Sequence, residues 1–162
     1  MTFRCPVHDQ RQVLDHVVRI AELSNDLDMV GAALDGAAQF AEGQFAPLDR
    51  IGDTQGSRMV DGKVVTPDGF KAAYAAFVEG GWMTLAAPEQ WGGQGLPLSL
   101  SAALMEDLNA ANIGFALCPM LSMGAIEALQ HHGSEELKER YLAKVVSGEW
   151  PATMNLTEPQ AG

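Results

Sequence analysis

Five groups of residues in this 162-residue chain are of types that do chemistry. The adjacent His131 and His132 have the nitrogen donors that suit zinc, but neighbours on a helix point about 100° apart. No Cys, Asp or Glu stands at a recognised partner spacing from them, so the pair reads as helix-end histidines. A metal-binding helical bundle resting on them remains an alternative, one that requires stoichiometric metal. Glu106 and Asp107 offer a carboxylate base in the middle of a helical pattern, where an acidic protein ordinarily presents a solvated face. The glycines of Trp91-Gly92-Gly93-Gln94-Gly95 invite a phosphate-loop reading, yet they lack the preceding strand and the Lys-Ser/Thr ending that give such a loop its mechanics. Met105, Met120 and Met123 suit an adaptable apolar pocket and equally suit ordinary core filling. Cys5 and Cys118 form no CxxC spacing, so reduced thiols are expected rather than a disulfide framework or thiolate metal site.

The elements that must position these residues are mostly helical. Val13, Val17 and Ile20, backed by Leu14, Val18 and Ala21, predict a buried stripe on a first helix over Gln10 to Leu23. Leu27, Val30, Leu34, Ala37, Ala41 and Phe45 continue the period in a second helix that Pro47 stops. Asp61-Gly62 between Met59-Val60 and Lys63-Val64-Val65 predicts a small hairpin. Thr66 as N-cap and Pro67 at the first helical position open a third helix carrying Phe70, Tyr74, Phe77 and Val78, which Gly80-Gly81 ends. Trp82 to Pro97 reads as an ordered loop packed down by its tryptophans. Leu100, Leu104, Leu108, Ala111 and Phe115 form the next stripe, which pauses at Pro119 and resumes through Leu121, Ala125 and Leu129. Gly133 and Ser134 make a helix-turn-helix corner, followed by a buried face of Leu137, Tyr141 and Val145. Trp150 to Thr157 reads as extended.

Ten Lys plus Arg against 21 Asp plus Glu give a net charge of -11, the wrong sign for phosphate backbones or anionic lipid surfaces. Nucleic acid and membrane are therefore excluded as expected partners. No uninterrupted apolar run approaches the roughly 20 residues that span a bilayer, and Met1 to Pro6 lacks the layout of a signal peptide. A cytoplasmic location is the expectation. With 47% hydrophobic residues, the chain is long enough for one domain with a sizeable core.

Four stretches together carry a resemblance: Gly81-Trp82 through Pro88-Glu89-Gln90-Trp91-Gly92-Gly93-Gln94-Gly95-Leu96-Pro97; Ala111-Asn112; His132-Gly133-Ser134-Glu135-Glu136-Leu137-Lys138 through Tyr141-Leu142; and Met154-Asn155-Leu156-Thr157-Glu158-Pro159-Gln160-Ala161-Gly162. In order and spacing the chain resembles the N-terminal helical domain of the acyl-CoA dehydrogenase family. Gly52-Asp53 and Asp61-Gly62-Lys63-Val64-Val65-Thr66-Pro67-Asp68-Gly69-Phe70-Lys71 are similar to the larger bacterial branch that includes 3-methylmercaptopropionyl-CoA dehydrogenases. The resemblance implies an all-α bundle of about six helices with a small hairpin excursion. Its parts would be N-terminal extension helices over 1–50, a hairpin or loop over 51–66, a helical core over 67–149 and an extended start of the flavin-contacting segment over 150–162.

It also implies FAD as cofactor, acyl-CoA as substrate, an electron-transferring flavoprotein as electron acceptor and a homo-oligomer. In the family a carboxylate takes the Cα proton while Cβ delivers hydride to flavin N5, so the acyl chain must lie between base and ring. Met154, Leu156 and Thr157 match the segment beside the flavin ring. Phe115, Met120 and Met123 match the helix that walls the acyl pocket, with core packing as the competing reading. The family's signature continues with a Ser or Thr and then Asp, followed by a β-barrel and a second helical domain that supplies the catalytic glutamate. No residue here matches that base, and the 162-residue chain alone is expected neither to hold FAD tightly nor to turn over acyl-CoA. Apolar faces turned toward those further domains would favour self-association. A stand-alone helical interaction module derived from the family is the alternative.

Overall fold

A computed structural model describes residues 3–155, 157, 159 and 160. The fold is all-α with one two-stranded hairpin, as expected. Helix α1 (Val7–Val13) runs into a π turn, Leu14–Val18, and stops where Arg19 takes the left-handed conformation, φ 56°. It thus begins three residues before Gln10 and ends five before Leu23, with only a 3-10 turn, Ile20–Glu22, beyond. Gln10, Leu14 and Ile20 are the buried positions, whereas Val13 and Val17 are exposed. The valine stripe marked the neighbouring face, because Gln10 turns inward to meet polar groups on a distant helix and the wider π turn shifts the phase after it.

Helix α2 (Leu27–Phe40) is capped by Asp26, whose Oδ1 accepts the Met29 amide at 2.8 Å. Val30, Leu34, Ala37, Ala41 and Phe45 are buried, while Leu27, at the exposed start, is not. A π turn (Ala41–Phe45) and a 3-10 turn around Pro47 (Ala46–Leu48) deflect the chain into α3 (Asp49–Gln55), a short helix that the hydrophobic pattern did not indicate. Strands β1 (Arg58–Val60) and β2 (Lys63–Val65) pair antiparallel with Met59 opposite Val64. Asp61 and Gly62 both take positive φ, 48° and 74°, which is what a two-residue turn of this hand requires.

Helix α4 (Phe70–Glu79) starts at Phe70 rather than at Pro67. Gln55 accepts the Asp68 amide at 2.9 Å and donates to its carboxylate at 3.0 Å, holding 66–69 as a turn before the helix can form. The Trp82 to Pro97 loop contains two 3-10 turns (Trp82–Thr84 and Glu89–Trp91) and folds back on itself, Gln94 and Leu96 donating to the Thr84 and Leu85 carbonyls at 2.8 Å. Gly93 lies so close to the Ala87 carbonyl that any Cβ would collide with it.

Helix α5 (Leu98–His132) is the organising element. By length and composition it is also apolar enough to cross a membrane, with a window of mean hydropathy 1.4. Glu106, Asp107, Asn109 and Asn112 interrupt its apolar run, and Leu100, Leu104, Leu108, Ala111 and Phe115 are spent on the core. Phe45 and Phe77 pack beside them, fully buried with Leu142 and Val146. The chain closes with α6 (Glu135–Leu137), a π turn (Lys138–Leu142) and α7 (Ala143–Val146). Ser134 caps α6, as expected, by accepting the Leu137 amide. Leu137 itself is exposed and Leu142 takes its place inside, again because the π turn advances the phase of the helix.

Candidate functional site

The site begins with a break in α5. Asn112 is non-helical (φ −165°, ψ 88°), dividing the helix into arms 98–111 and 113–132. Its Oδ1 accepts the Phe115 amide at 3.0 Å, the bond an N-cap makes to the third helical residue, while Nδ2 donates to the Phe45 carbonyl at 3.3 Å. The break therefore falls at Asn112, and Pro119, where the pattern placed it, lies inside the second arm and is buried.

The second arm carries an uncovered apolar face. Ile113, Leu117 and Met120, spaced four and three apart, are 62%, 46% and 40% exposed. Of the three residues matched to the acyl pocket, Met120 alone lies on this face. Phe115 points the other way, its ring centroid 4.3 Å from that of Phe45 and 4.8 Å from that of Phe70. It also borders a cavity with Lys71, Tyr74 and Cys118. Met123 is half-buried and borders a separate cavity with Met83 and Met105. The three thus occupy one arm but not one pocket. Ile113 and Leu117 escaped the sequence reading, which singled out methionines by type rather than the face they share.

Beside this arm runs the segment after Trp150. Ala152 donates its amide to Ser122 Oγ at 3.0 Å, and Ser122 is fully buried on α5. Upstream, Tyr74 donates to the Gly148 carbonyl at 3.0 Å and Lys144 lies 4.1 Å over the Trp150 ring. Of these ties the Ser122 one reaches α5; beyond Ala152 the described residues have no helix or strand, and Met154 and Thr157 are exposed. Leu156 lies outside the described residues.

The other candidates separate from this site. His131 faces Glu127 at 3.3 Å across one helical turn on an exposed face, and no group of three metal-ligating side chains occurs among the described residues. Glu106 is exposed, but Asp107 is fully buried, contrary to the solvated pair expected, and its carboxyl is raised above the usual range first by that burial. Burial likewise raises the Cys118 thiol. Cys5 and Cys118 are free thiols, as the sequence indicated.

Residues 31–149 match the model of the acyl-CoA dehydrogenase N-terminal domain. The whole chain is 43% identical to 3-methylmercaptopropionyl-CoA dehydrogenase of Ruegeria pomeroyi, covering 29% of that protein. Butyryl-CoA dehydrogenase of Syntrophomonas wolfei is 36% identical over 84% of this chain and 23% of its own length. The fold is also similar, with a TM-score of 0.65 and 26% identity, to a solved chain described under the electron transferring flavoprotein of Acidaminococcus fermentans, over 86% of this chain and 33% of that one. The chain thus spans less than a third of the length of the two dehydrogenases, and within that span it belongs to the acyl-CoA dehydrogenase family, as its N-terminal domain.

Proposed function

We propose that these residues form the helical N-terminal part of an FAD-dependent enzyme that oxidises an acyl-CoA to the trans-2-enoyl-CoA. The observation that carries the reading is the similarity to 3-methylmercaptopropionyl-CoA dehydrogenase along the entire chain. The exposed face of Ile113, Leu117 and Met120, on the arm of α5 whose buried side carries Ser122 and the Ala152 tie, supports it. An acyl chain laid on that face leaves water at about 0.8 kcal/mol per buried methylene. Phe115 is buried on the opposite side of the same arm, and Met123 packs half-buried against the core.

The residues present suit one side of a flavin: a segment without helix or strand, with exposed Met154 and Thr157, the latter offering a hydroxyl. Leu156 is proposed to join them. FAD, when bound, would supply the hydride acceptor for the β-carbon. The chain's own part is to position and to exclude water, while the base that removes the α-proton is proposed to come from the remainder of the protein. An electron-transferring flavoprotein as acceptor, a homo-oligomeric assembly and a cytoplasmic location complete the reading.

Mass spectrometry of the product tests it. With an artificial electron acceptor, the whole protein is expected to convert butyryl-CoA or 3-methylmercaptopropionyl-CoA to a product lighter by two hydrogens. Substrates recovered unchanged at every acyl length would overturn the assignment.

A further inference from the structure

A polar cluster beneath the N-terminal helix takes no part in the proposed site. Gln10 reaches from α1 to α5, its amide nitrogen 2.8 Å from Asp107 Oδ1, 3.1 Å from Glu106 Oε2 and 3.4 Å from the Ala103 carbonyl. Three acceptors on one side fix which way the amide points, because only its nitrogen can face them. Gln10 Oε1 and Asp107 Oδ2 are then both buried and both without a hydrogen-bond partner among the described residues. Each is the second atom of a planar group whose first atom is already bonded to the other. Among the described residues Asp107 has no ion pair, Arg4 being engaged by Glu42. Two buried acceptors on groups already joined by one hydrogen bond, left unpartnered, carry the full desolvation cost of each, and a proton on the carboxyl is what would supply both.

We propose that Asp107 keeps its proton in the folded protein and donates it from Oδ2 to Gln10 Oε1, closing a two-bond acid–amide pair that latches the N-terminal helix onto α5. The latch joins two parts of different standing, since α1 precedes the stretch 31–149 that matches the family domain and Asp107 lies within it. The surroundings favour the neutral acid. Burial acts first, and the negative charges of Glu106 on α5 and Glu42 on the Ala41–Phe45 turn add to it, against the Gln10 hydrogen bond and the nearby Cys5 thiol, whose own hydrogen bond goes to the Ala38 carbonyl. The thiol is itself raised, by burial first, and so stays uncharged. Glu42 runs the other way, held low first by the Cys5 amide and then by Arg4.

A raised folded carboxyl binds a proton that the unfolded chain releases near the ordinary Asp value of about 3.9. The latch therefore contributes its full stability below that value and loses it as pH rises through the folded carboxyl's higher one. Glu42 contributes the opposite slope at lower pH, so the two are separable.

The test uses the full chain. Carbon-13 NMR of labelled aspartate carboxyls is expected to show one aspartate still protonated after the others have titrated, its signal missing in Asp107→Asn. That variant replaces O–H by N–H in the same pair, so its thermal midpoint should match wild type in acid and exceed it increasingly as pH rises. All aspartates titrating together in the wild-type protein would overturn the proposal even if the variant failed to fold. A midpoint difference between variant and wild type that stays constant with pH would also overturn it.

Discussion

The Ala152 amide donates to Ser122 Oγ across 3.0 Å, tying the start of the final segment to the arm of α5 that bears the apolar face. Ser122 is fully buried and donates in turn to the Cys118 carbonyl at 3.3 Å, so one hydroxyl joins the final segment to the buried side of α5. Ser122→Ala leaves the Ala152 amide without its partner, a loss of about 1–3 kcal/mol. Its effect should concentrate on the segment, with FAD retention in the whole protein weakened by about tenfold. Flavin release on dilution, compared with wild type, checks this.

Asn112 serves both arms of α5, capping the second and holding the Phe45 carbonyl. Asn112→Ala removes both bonds and should destabilise by about 1–3 kcal/mol. Asn112→Asp keeps the capping oxygen and should recover part of that, as urea midpoints of the two variants would reveal.

Leu117 and Met120 are exposed, so charge is tolerated there by the fold. Leu117→Asp should leave the melting temperature near wild type while raising KM for a medium-chain acyl-CoA at least about tenfold, through lost apolar contact of about 1.4 kcal/mol or more. Leu117→Met, which conserves an apolar surface, should leave KM within about threefold. A charged variant with unchanged KM would remove this face from the acyl site.

Gly93 has no room for a side chain against the Ala87 carbonyl, which also accepts the Gly95 amide at 3.0 Å. Gly93→Ala should cost about 2–4 kcal/mol by forcing that loop apart. Gly92→Ala tests a different constraint. It meets no atom within 4 Å but holds φ at +88°, and should cost about 1–2 kcal/mol. Thermal unfolding ranks the two.

Much of the architecture is written locally. The Leu100 to Phe115 stripe, the Asp61-Gly62 turn and the Gly80-Gly81 stop each act through neighbours in sequence, and each appears where its residues place it. What escaped is set by distant partners or by changes of helical pitch. Gln10 is buried because Asp107 is there to receive it. Asn112, not Pro119, breaks α5 because Phe45 offers a carbonyl that no local pattern contains. Leu137 yields its interior place to Leu142 because the intervening turn is π rather than α. In the site, the segment from Met154 to Thr157 came from resemblance, whereas the face shared by Ile113, Leu117 and Met120 required knowing which side of α5 the core leaves open.

The most direct measurement is anaerobic mixing of the whole FAD-loaded protein with straight-chain acyl-CoA thioesters, watching the visible flavin band. Bleaching by butyryl-CoA or 3-methylmercaptopropionyl-CoA, and not by free coenzyme A, is the result predicted. A flavin that dithionite reduces but no acyl-CoA bleaches would contradict the proposed oxidation.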